Sequence, residues 1–111
     1  MTYGLSEQTR SAIQNVLCRY PDVMAAKVFG SRATDTYTES SDIDLALLGD
    51  ISFAKLMTLE TELDDLLLPY KIDVVRYDNL DNASFRDAID RGGKLFYERK
   101  PVASLPVAEA S

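Results

Sequence analysis

Between two apolar, strand-like runs, DIDLALL and KIDVVRY, lies SFAKLMTLETELDDLLLPY. In it Leu56, Leu59, Leu63, Leu66 and Leu67 share one helical face, while Lys55, Thr58, Glu62 and Asp65 share the other. Pro69 is expected to end the helix. A long helix joining two strands is what a right-handed parallel crossover needs, since parallel strands cannot be joined by a tight turn. The chain is therefore expected to fold as an α/β domain built on a sheet.

The flanking segments extend this order. SEQTRSAIQNVLCRYP reads as an opening helix with Ser6 as N-cap and Ile13, Val16, Leu17 and Tyr20 at helical spacing, Cys18 being a passive small residue on it. VMAAKVF is a short buried strand that stops at Gly30, and residues 32–41 are a polar loop. LDNASFRDAIDRGG forms a third helix stopped by its glycines, and KLFYE a last short strand. The result is one α/β domain over residues 1–100, a mixed sheet flanked by helices, with a flexible tail at 101–111. The acids Glu60, Glu62, Asp64 and Asp65 are expected to form a solvated helix face.

Composition limits the partners. With 111 residues there is room for one core but not for a second substrate-binding domain. The net charge of -6, without any Lys/Arg cluster, disfavours nucleic acid as a partner. A single cysteine excludes an internal disulfide, and no segment approaches a membrane span or a secretory leader, so the expected location is the cytoplasm.

The chemistry is concentrated in VFGSRATDTYTESSDIDLALLGD. Side chains alternate along a strand, so Asp42 and Asp44 share a face, with carboxylates roughly 7 Å apart, while Ile43, Leu45 and Leu47 point the other way. If KIDVVRY runs parallel beside that strand, Asp73 comes level with the pair and the three acids cluster. Such a cluster repels itself unless a cation compensates. Oxygen ligands alone, in a chain without histidine, suit Mg²⁺ or Mn²⁺ better than zinc. If the preceding strand returns antiparallel, Gly30 and Ser31 end beside the acids. There a glycine admits backbone N–H groups to phosphate oxygens and the serine adds a hydroxyl.

The pattern Gly30-Ser31, ten residues, Asp42-Ile43-Asp44, with Asp73 on a later strand, resembles the GSx10DxD signature of the minimal nucleotidyltransferases of the DNA polymerase beta superfamily. The resemblance covers nearly the whole chain, and is strongest to the MntA-type antitoxins that partner HepT toxins in HEPN/MNT pairs. It implies a polymerase-beta-like fold and a Mg²⁺-dependent transfer of AMP from ATP to a tyrosine of a HEPN ribonuclease toxin within a hetero-oligomeric complex. It further implies that Asp42, Asp44 and Asp73 hold a pair of ions, with Gly30, Ser31 and, more weakly, Arg32 steadying the nucleotide phosphates. Where many relatives continue GSRA with Arg-Gly, this chain has Thr34 and Asp35. Two rival readings stay open: an antitoxin that masks its toxin without catalysis, and a transferase acting on a small molecule or an RNA end.

Overall fold

The computed structural model describes residues 4–34, 36–38 and 41–99. Helix α1 (Glu7–Cys18) is followed by strands β1 (Ala25–Phe29) and β2 (Ile43–Leu48). Helix α2 (Phe53–Asp64) then leads to β3 (Ile72–Arg76), and α3 (Ala83–Gly92) to β4 (Lys94–Glu98). The elements occur in the order anticipated. The expected tail at 101–111 lies outside the described residues. Among the described residues, no helix is long and apolar enough to cross a membrane.

The sheet runs β3-β2-β1-β4. β2 and β3 are parallel, as the intervening helix requires, whereas β1 is antiparallel to both β2 and β4. Both conditions set by the sequence are thus met, and the sheet is mixed. Val28, Leu45 and Val74 stand level in three adjacent strands and face a core shared with Ile13, Val16 and Leu17 of α1 and Leu56, Leu59 and Leu63 of α2. Because side chains alternate, Phe29, Asp44 and Asp73 stand level on the opposite face. There α3 packs on β1, with the Phe85 ring edge-on to Phe29 at 5.5 Å between centroids.

Local chemistry sets the helix ends. Ser6, Ser52 and Asn82 each accept a hydrogen bond from the backbone N–H three residues on, satisfying a donor the first turn leaves free. α3 ends at Gly93, where a Cβ would stand 2.5 Å from the Ile89 carbonyl oxygen, so the stop depends on close backbone approach. Arg99 closes the far side of the fold by donating to the carbonyls of Cys18, Tyr20 and Val23.

Two readings are corrected. α2 ends at Asp64, capped by Asp65 and followed by Leu67 in the left-handed region with φ 54°, so the helix stops well before Pro69. Leu66 and Leu67 lie beyond it: Leu66 still packs against the core, whereas Leu67 is 87% exposed. Glu62 is not merely solvated: it accepts hydrogen bonds from Arg19 at 2.8 Å and from the Tyr20 hydroxyl at 2.5 Å, clasping α1 to α2. Cys18 is exposed on α1, its thiol donating to the Asn15 carbonyl at 3.2 Å.

A non-glycine residue in the left-handed region costs about 1–2 kcal/mol. Since the exposed Leu67 side chain contributes little packing, Leu67→Gly is expected to raise the thermal unfolding midpoint by a few degrees, read by circular dichroism.

Candidate active site

β1 ends at Phe29 and the chain turns at once. Gly30–Arg32 form a single 3-10 turn in which the Ala33 N–H donates to the Gly30 carbonyl at 3.1 Å and the Thr34 N–H to that of Ser31 at 3.2 Å. Gly30 has φ +74°, and a Cβ there would come within 2.6 Å of Asp44 Oδ2. Both the backbone conformation and the approach demand glycine. The turn lies directly against the Asp44 carboxylate. Thr34 returns its hydroxyl to the Gly30 and Ser31 carbonyls at 3.3 Å each and so braces the turn. Asp35 lies outside the described residues.

The acids come from two strands. Asp44 is partly buried near the start of β2, paired level with Asp73 near the start of β3. Asp42 precedes β2 and is exposed. Burial first, and then the negative charges of Asp73 and Asp42, raise the Asp44 carboxyl above its ordinary value. The three are electrostatic neighbours, but the cluster expected from the sequence is not assembled: among the described residues, no group of three acidic, histidine or cysteine side chains stands where it could hold a metal ion. Like charges repel, and Asp73 Oδ1 lies toward Lys71 Nζ at 3.8 Å with its side chain 45% exposed. Arg76, at the other end of the same strand, donates to the Ile51 carbonyl and stacks on Phe53.

Carboxylate oxygens are the donor type a hard divalent cation prefers. Asp44 feels the charges of Asp73 and Asp42, Asp73 is only loosely paired with Lys71 at 3.8 Å, and the glycine turn leaves room at Asp44. Gly30, Ser31, Asp42, Asp44 and Asp73 thus gather at one end of the sheet, where β1 ends and β2 and β3 begin.

Arg32 does not join them at the surface. Only 1% exposed, it donates through Nε and a terminal nitrogen to the Ser41 carbonyl at 3.2 and 2.9 Å. Its guanidinium stacks on the rings of Tyr37 and Tyr70, 5.2 and 4.9 Å from their centroids. The reading of Arg32 as a phosphate contact is corrected: it points inward, where the two rings and a backbone carbonyl replace its hydration. Tyr70, Tyr37 and Phe29 were not singled out from the sequence. The only signal for Tyr70 was its place three residues before Asp73, and nothing local marks an aromatic as the platform for a distant arginine.

Two expectations follow from this geometry. Gly30→Ala should cost about 1–2 kcal/mol through the left-handed backbone alone and, by displacing Asp44, weaken Mn²⁺ binding, measured by chemical denaturation and calorimetric titration. A carboxyl whose pKa rises on folding favours its protonated form in the native state, so ionised Asp44 opposes folding at neutral pH. Asp44→Asn is therefore expected to melt above the wild type at pH 7. The gap should close as the pH falls through the Asp44 titration range and the wild-type carboxyl takes up its proton.

Comparisons with known proteins bear on the fold and the family. A family model described as polymerase beta nucleotidyltransferase matches residues 11–102. A Methanocaldococcus jannaschii protein, MJ0126, provisionally named a protein adenylyltransferase, is 32% identical over 92 residues, covering 75% of this chain and 93% of its own. A crystal structure of a toxin-antitoxin with AMP-PNP superposes with a TM-score of 0.67 at 21% identity, covering 82% of this chain and 74% of that one. A structure of a tri-AMPylated Shewanella oneidensis HEPN toxin in complex with its MNT antitoxin superposes with a TM-score of 0.63 at 19% identity, covering 84% and 72%. At such identities the superpositions establish the fold, and the family model and the curated relative establish descent. This chain belongs to the polymerase beta nucleotidyltransferase family.

Proposed function

We propose that this protein is the cytoplasmic antitoxin of a type VII-like HEPN/MNT pair. It is a protein adenylyltransferase that moves AMP from ATP to a tyrosine of a HEPN ribonuclease toxin and releases pyrophosphate. The observation that carries the reading is the level pairing of Asp44 with Asp73 against the side-chain-free turn at Gly30. Support for the acceptor comes from the curated relative's name and from the neighbouring structures, one of which holds an AMPylated HEPN toxin.

In this mechanism Asp42, Asp44 and Asp73 would hold the divalent ions, Mg²⁺ or Mn²⁺, which supply charge neutralisation on the phosphates and acidify the attacking hydroxyl. Gly30 and Ser31 present the turn to the β- and γ-phosphates. A tyrosine phenol ionises near pH ~10 and is mostly neutral at pH 7, so it needs a proton acceptor. Asp73, level with Asp44 and partly open to solvent, takes that proton. The phenolic oxygen bonds to the α-phosphorus, the bond from that phosphorus to the β-phosphate oxygen breaks, and pyrophosphate leaves. The acceptor enters from solvent, the side on which Asp42 is exposed.

The test is the intact mass of the cognate HEPN partner after incubation with this protein, ATP and Mg²⁺, beside an Asp42→Asn, Asp44→Asn double variant. A metal-dependent gain of whole AMP units with the wild-type chain only is the expected result. No gain, with the toxin still suppressed by both forms, would leave a masking antitoxin instead.

A further inference from the structure

Within the GSR turn, Arg32 has no part in the transfer just described, yet it is among the most deeply buried side chains of the fold. We propose that Arg32 is a positioning residue: it fixes the glycine turn and the two acid-bearing segments relative to one another, so that the cation affinity of the site depends on a side chain touching neither cation nor nucleotide. The inference rests on the reading of Asp42, Asp44 and Asp73 as the cation-holding group.

The contacts of Arg32 converge on all three segments. It follows Ser31 in the turn that lies on Asp44. Its forked grip on the Ser41 carbonyl, at 3.2 and 2.9 Å, holds the residue immediately before Asp42. Its stacking on Tyr70 reaches the segment entering β3, where the next residue, Lys71, accepts the Ile43 N–H at 2.8 Å. Asp73 lies two residues further along. Tyr37 covers the other approach to the guanidinium, and the Gly4 backbone packs so closely that a Cβ there would meet both Tyr37 and Arg32.

The site needs such a clamp. Asp44 feels the charges of both Asp73 and Asp42, so the starts of β2 and β3 carry mutual repulsion where each strand is least restrained by pairing. Ten residues separate the two halves of the motif, and a span of that length does not by itself fix where Asp42 lies relative to Gly30. A planar fork on a carbonyl fixes distance and direction together, and the buried aromatic faces keep water from competing for it. Lysine offers a point charge without the fork, so it restores the stacking but not the direction.

The test uses the full chain and Mn²⁺ as the probe, with affinity read by calorimetric titration and by the resonance of free Mn²⁺. Arg32→Met is expected to weaken Mn²⁺ binding about tenfold, as loss of a supporting residue around a metal site does. Tyr70→Leu should weaken it in the same direction, with the double variant losing less than the sum. Arg32→Lys should recover only part of the loss. Leu63→Ala, in the core under α2, should lower the melting midpoint while keeping wild-type Mn²⁺ affinity, which separates positioning from general stability. At saturating Mn²⁺, Arg32→Met should bind ATP as the wild type does. The proposal is overturned if Arg32→Met and Tyr70→Leu bind Mn²⁺ normally, or if Leu63→Ala weakens binding as much as they do. It is also overturned if Arg32→Met loses ATP affinity with Mn²⁺ affinity intact, which would make the arginine a phosphate contact. A wild-type chain that binds no Mn²⁺ would instead overturn the cation reading of the acids themselves.

Discussion

Parallel pairing of β2 with β3 places Asp44 beside Asp73, and much of the site is arranged around that one juxtaposition of like charges. Two carboxylates on adjacent strands, with a third just upstream, are unfavourable in a folded protein without a compensating cation. The cost is visible in the upward displacement of the Asp44 carboxyl, caused by burial first and by its acidic neighbours second. What surrounds the pair makes the arrangement tolerable. A glycine turn leaves Asp44 its space, Asp73 leans toward Lys71, and a buried arginine braces the segments behind. A fold selected for stability alone would have no reason to align these residues.

The two faces of the sheet divide the work. On one, Val28, Leu45 and Val74 pack with α1 and α2 into a dry core that fixes the register of the strands. A slip of one residue would exchange that face for the other and bury the aspartates. Hydrophobic burial on one side thereby sets the position of the acids on the opposite side. The helix clasp at Glu62 and the Arg99 contacts to the loop below α1 hold this frame at points far along the chain from the site.

Much of this was legible in the residues. The amphipathic α2 between two apolar runs implied a parallel crossover, and DIDLALL gave two acids on one face by simple alternation. Asp73 could be brought level with them once parallel pairing was granted, and Gly30 with them once β1 was granted an antiparallel return. The misreadings came where long-range partners decide. Glu62 looks like any solvated helix acid until the turn after α1 supplies Arg19 and Tyr20. Arg32 looks like a phosphate ligand because it follows Gly-Ser, but its environment comes from Tyr37, Ser41 and Tyr70, which no local pattern ties to it. Leu66 and Leu67 match the helical period, yet the helix is capped at Asp65 and the chain turns through a left-handed Leu67.

By itself, then, the sequence determined the order of elements, the parallel crossover and the identity of the carboxylates, because periodicity, turn chemistry and motif spacing act over a few residues. Only the tertiary structure decided which acid faces which, why residue 30 has to be glycine, and which way the motif arginine points. These depend on strand register, on the distance from a Cβ to a carboxylate across two strands, and on buried aromatic rings brought together from separate segments. Such quantities arise from packing between parts of the chain that carry no record of one another in their local residue pattern.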